Sequence, residues 1–124
     1  MYLKGKYRKS VYFLLVVSLA LCTCAHPDEQ FKNILAAPDK FHKQEVQVVG
    51  VLHWQAKDAA IYLTTNNNTA EAFWIRYNHK VVMTQTIETL DRRHVRITGI
   101  FDKNDKGYSS QYAGTIAVKE VILK

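Results

Sequence analysis

One glycine-centred strand pattern occurs twice in this chain. Residues 45–52 read EVQVVGVL and residues 94–101 read HVRITGIF. Alternation of this kind is the signature of a strand with one buried face. In both stretches the glycine stands on the apolar face, Gly50 with Val46, Val48, Leu52 and Trp54, and Gly99 with Val95, Ile97 and Phe101. A glycine inside a strand weakens it unless the sheet must bend or another backbone comes close. Two long strands with a glycine at equivalent points therefore predict strongly curved neighbours in a sheet that closes on itself.

The segments around them fit that closure. Asp28 is placed to cap a helix through EQFKNILAA, with Phe31, Ile34 and Leu35 on one face and Pro38 as its stop. After the first strand (45–54) come AIYLT (60–64) and AFWIRY (72–77), joined by the turn-rich TNNNTA. Over 80–91 the rhythm becomes helical, through Val82 or Met83, Ile87 and Leu90. HVRITGIFD then returns to alternation, KNDKGYSSQ is a polar loop, and YAGTIAVKEVIL is the last strand. The expectation is a mainly β chain: a five-stranded OB-fold barrel over residues 26–124, with a leading N-terminal helix and a short helix between the third and fourth strands.

The first residues follow another logic. Lys4, Lys6, Arg8 and Lys9 precede VYFLLVVSLAL (11–21), an apolar run shorter than the ~20 residues of a membrane span. A basic start, a short apolar middle and small residues after it predict an export signal over 1–25. Cleavage after Ala25 competes with lipidation of Cys24 or Cys22, the only cysteines, although Thr23 and Leu21 stand where a lipidation signal has a small residue. An uncleaved anchor is the third route. Of the formal +6 charge, four basic residues and no acid belong to this segment, which leaves 13 basic and 11 acidic residues beyond it. A net charge of +2 argues against a nucleic-acid partner.

Several residues together carry a resemblance: Pro38 and Phe41; Val46, Val48, Gly50 and Leu52; Tyr62-Leu63; Trp74; Val95, Ile97, Gly99 and Phe101; and Gly114-Thr115-Ile116. Over residues 31–123 the chain resembles small exported bacterial OB-like (tRNA_anti-like) proteins, many of them lipid-anchored. It departs from them at Lys43-Gln44, where a Gly-Lys pair is usual, and at Tyr108 and Ser110, where a histidine and a glycine are common. The resemblance implies the fold and export. It supplies no activity.

Barrels of this type bind ligands across strands two and three, framed by the loops after strands one and four. Alternation turns Ile61, Leu63, Phe73, Ile75 and Tyr77 inward, and Tyr62, Trp74 and Arg76 outward. Two aromatic faces beside a guanidinium suit a planar or sugar ring with an anionic group. Lys106 and Tyr108 in the last loop, and Lys57 in the first, are expected to rim that patch.

Other chemistries find little in the sequence. His26, His42, His53, His79 and His94 show no metal-ligand spacing. In DKNDKG (102–107) Lys106 stands where a calcium loop needs an oxygen. Ser109 and Ser110 have no nucleophile-elbow context. The expectation is a non-catalytic, cofactor-free binding module of the cell envelope, reaching the membrane only through a lipid anchor. A protein-interaction or structural envelope component, and a single-stranded nucleic-acid-binding domain, are the alternatives.

Overall fold

The two glycine strands are neighbours. A computed structural model describes residues 27–55, 58–77, 82–83 and 86–124. In it β1 (Glu45–Gln55) pairs antiparallel with β5 (His94–Asp102), Gly50 opposite Val95 and Gly99 opposite Val46. Each glycine lies where a third strand crosses closely. A methyl on Gly50 would come 2.4 Å from the Tyr62 carbonyl oxygen, and one on Gly99 2.3 Å from that of Ala117. At Gly99 the register against β6 (Gly114–Leu123) also shifts, because Thr98 faces Glu120 whereas Gly99 faces Val118. Such a bulge sharpens the local twist.

β2 (Asp58–Tyr62) and β3 (Ala72–Arg76) complete the sheet, with β4 (Val82–Met83) on the far side of β6. The order is β3-β2-β1-β5-β6-β4, and a parallel pairing of β3 with β6 closes the five longer strands into a barrel. This order and closure are those of the OB-fold. The strands expected fourth and fifth are thus β5 and β6.

The leading helix α1 (Pro27–Ala36) starts at a proline, which suits a first helical turn, so Asp28 falls inside that turn rather than ahead of it. Its inner face enters the barrel. Phe31 and Ile34 are fully buried, the Phe31 ring stacks on Phe73 at 4.6 Å, and Phe73 meets Phe101 edge-on at 5.4 Å. Burial of rings of this size, with favourable ring geometry, makes this column a main source of cohesion. The Gln30 side chain also accepts the Gln47 N–H at 2.7 Å, satisfying a β1 amide beside the helix.

Between β3 and β5 the structure differs from the expected helix over 80–91. Residues 82–83 pair as a strand with β6, and Ile87–Leu90 form a single 3₁₀ turn; residues 80–81 and 84–85 lie outside the described ones. The spacing did place Ile87 and Leu90 in the core. The local chemistry favours a turn: the Thr89 hydroxyl donates to the Thr86 carbonyl at 2.7 Å, and β-branched threonines are poor helix formers. Past the turn, Asp91 accepts the Trp54 N–H at 2.7 Å and ties it to the end of β1.

Candidate nucleic-acid or ligand face on strands β2 and β3

The alternation assigned the faces of β2 and β3 correctly. Ile61, Phe73 and Ile75 are in the core, with Leu63 and Tyr77 packed against it, and Tyr62, Trp74 and Arg76 point outward. The outer face is nevertheless not open. Residues 103–113, between β5 and β6, fold across it and build a second small apolar layer of Ala60, Tyr62, Ala72 and Tyr112, against which Trp74 packs. Tyr62 is consequently only 7% exposed, and the ring of His53 lies against it at 4.4 Å. The structure places Tyr62 in packing, although its direction is the expected one.

Polar ties hold this strap down. Tyr112, 3% exposed, donates its hydroxyl to Asp58 at 2.7 Å. Burial, and then that hydrogen bond, push the phenol pKa well above its ordinary value. The Ala113 N–H donates to the Ala72 carbonyl at 3.0 Å, and the Thr115 hydroxyl to the Asp105 carbonyl at 2.8 Å. The Asp105 carboxylate accepts the Gly107 N–H at 3.0 Å and pairs with the Arg76 guanidinium. In the same loop Asp102 accepts the Asn104 N–H at 2.9 Å, so the carboxylates of DKNDKG are engaged by their own loop.

What stays accessible is a cleft of about 230 Å3 beside the strap. It is bounded by Trp54 and Gln55 at the end of β1, Asp58 and Ala59 of β2, Trp74 to Arg76 of β3, and Tyr77 just beyond it. Trp54 and Tyr77 meet edge-on at 5.0 Å. The Trp74 indole N–H is buried and meets no acceptor among the described residues. The cleft therefore joins Trp74 and Arg76, but not Tyr62, with Asp58 and with Trp54 and Tyr77, which alternation assigns to inward faces. Trp54 and Tyr77 do sit on inward faces, but at strand ends, where an inward side chain comes out at the barrel rim.

Lys106 and Tyr108 do not line this cleft. Tyr108 is 61% exposed on the strap, and Lys106 is exposed beside it. Lys57, the signal over 1–25, Cys22 and Cys24 lie outside the described residues. Among the described residues no three His, Cys, Asp or Glu side chains gather to hold a metal, and no helix is long and apolar enough to cross a membrane.

No protein-family model matches the chain, and the search of curated proteins finds no match. The exported family therefore gains no support from these comparisons. Among solved structures, asparaginyl-tRNA synthetase from Pyrococcus horikoshii is similar at 12% identity and TM-score 0.44, over 68% of this chain and 20% of that one. A putative aspartyl-tRNA synthetase from Leishmania major Friedlin gives 11%, 0.45, 73% and 19%. OBody AM3L15, solved bound to hen egg-white lysozyme, gives 16%, 0.45, 80% and 92%. The chain thus spans about a fifth of the length of the two synthetases. Likenesses this distant carry no argument about function, and the OB-fold rests on the strand order and closure of the barrel itself.

Proposed function

We propose that this chain is a non-catalytic binding module, exported to the cell envelope, whose ligand enters at the cleft between Trp54, Trp74 and Tyr77. The observation that carries the reading is the grouping of three aromatic side chains, one guanidinium and one carboxylate around a single opening of an OB barrel. Such a set suits a flat or sugar ring with an anionic group directed at Arg76.

The strap makes access conditional. The cleft is smaller than the roughly 300–1,000 Å3 of ordinary small-molecule sites. Full stacking on the Trp74 face needs residues 103–113 to lift. The Arg76–Asp105 pair opposes this weakly, because the Arg76 side chain is 60% exposed and pairs of that kind contribute about 0.2–1 kcal/mol. The unpaired indole N–H favours lifting, since a buried donor without an acceptor costs about 1–3 kcal/mol. A ligand anion on Arg76 would take the place of Asp105.

Tryptophan emission, titrated with envelope glycan fragments, small aromatic anions and a short oligonucleotide, tests the proposal. The expected result is saturable quenching that Trp74→Ala abolishes and Arg76→Ala weakens about tenfold. Binding that survives both substitutions removes this site. Salt-sensitive retention of the oligonucleotide alone would transfer the function to nucleic acid.

A further inference from the structure

A further cavity lies away from the β2–β3 cleft, and its origin is in the barrel's own pairing. The β1–β2 ladder ends at Val51 opposite Tyr62. Beyond it the chain leaves β1, and Leu63 donates its N–H to the Glu71 carbonyl at 3.1 Å. On the other side α1 covers β1, through Gln30 on Gln47 and the Phe31 ring near Gly50. Between the end of the ladder and the helix a groove of about 450 Å3 is left over Val49 and Gly50. That volume is ordinary for a small-molecule site.

Its chemistry is one-sided. Val49, Gly50 and Leu63 supply apolar and backbone surface, Thr64 brings a hydroxyl, and Lys32, His94 and Lys124 complete the lining. No acidic residue lines the groove. None of the ion pairs among the described residues uses Lys32, His94 or Lys124. The other surface lysines with carboxylates in reach behave differently, Lys103 pairing with Asp39 at 2.9 Å and Lys119 with Glu45 at 2.8 Å. Like charges around a low-dielectric floor reinforce one another's attraction for an anion. His94 presents an N–H donor in either protonation state.

We infer that this groove is a second binding site, for an organic anion with a phosphate or carboxylate head held by Lys32, His94 and Lys124 and a short apolar body lying on Val49 and Leu63. A bare inorganic ion would leave the apolar floor uncovered, and an uncharged apolar ligand would leave the three donors without an acceptor. The site does not depend on Trp74 or Arg76.

Isothermal titration of the full chain with hexyl phosphate tests this, with inorganic phosphate and hexanol as the two halves of the probe. Hexyl phosphate is expected to bind at one site, at least tenfold more tightly than either half. Lys32→Ala and His94→Ala each weaken it about three- to tenfold, and the double variant more; both residues are exposed, so the fold is retained. Trp74→Ala leaves this binding unchanged, which separates it from the cleft. Phosphatidylglycerol vesicles serve as a further arm: retention lost in the double variant assigns the anion to a lipid headgroup, and its absence beside hexyl phosphate binding assigns a soluble ligand. No binding of hexyl phosphate, or binding indifferent to Lys32 and His94, overturns the inference.

Discussion

Gly107 lies against the indole of Trp74, so close that a methyl on its α-carbon would stand 2.7 Å from Trp74 Cβ and Cγ. Its backbone, at φ 72° and ψ −163°, occupies a region that essentially only glycine enters. Gly107→Ala is therefore expected to cost about 1–3 kcal/mol and to dislodge the strap. In a Trp54→Phe background, acrylamide quenching of Trp74 should rise at least twofold while the far-UV spectrum stays that of the barrel. Unchanged quenching would mean that the strap does not shield the indole.

Barrel closure has its own test. Gly50→Ala and Gly99→Ala each drive a methyl into a neighbouring strand's carbonyl oxygen. Overpacking of this sort costs about 1–3 kcal/mol, and the rigid backbone partner puts both at the upper end. Urea midpoints measure it, with the exposed Lys119→Ala as a control below about 1 kcal/mol.

The leading helix is expected to be part of the barrel and not an appendage. Phe31 is fully buried and stacked on Phe73. Phe31→Ala should cost about 3–5 kcal/mol in a single cooperative transition. A loss below about 1 kcal/mol would show that the barrel stands without α1.

Tyr112→Phe removes a buried hydroxyl that donates to the Asp58 carboxylate, an expected loss of about 1–3 kcal/mol at neutral pH. The phenol pKa is raised in the fold, chiefly by burial. The unfolded chain ionises first, near its ordinary value of 10.0. The stabilisation is thus complete below that value and declines as pH rises above it. Denaturation followed from pH 8 to 11 should show a steeper alkaline decline in the native chain than in the Phe variant.

His53 has the opposite sense. Burial lowers its pKa below the ordinary 6.5, nearby Arg92 adds to this, and Asp91 and Asp58 oppose it. Above 6.5 the ring is neutral in both states. As pH falls, the unfolded chain takes up the proton first, so stability declines from 6.5 down to the folded value and then levels off. His53→Gln should remove that part of the acid slope, read as the difference between the two stability curves.

Much of this architecture was legible in one dimension. A strand's period of two is local, so the inward faces of Val46, Val48, Ile61, Phe73 and Ile97 follow from the order of residues alone, and all five are buried. The glycine pattern marked the two strands that pair. The segment over 80–91 was misread because apolar spacing is compatible with a turn as well as a helix. The Thr89 hydroxyl, bonded to the Thr86 carbonyl, supports the turn found there.

The outer face of β2 and β3 was legible in direction but not in exposure. Alternation states that Tyr62 and Trp74 point out of the barrel; it says nothing of what lies beyond them. That depends on residues 103–113, far along the chain, and on single contacts such as Tyr112 with Asp58 and Asp105 with Arg76. The groove beside α1 is of the same kind, because it lies between the end of the β1–β2 ladder and the helix that covers β1. The order of residues thus settled which side of each strand is apolar and which strands must curve, since both follow from neighbours in the chain. Which outward surfaces are covered and which remain as cavities was settled only by the packing of distant segments, whose contacts have no periodic trace in the sequence.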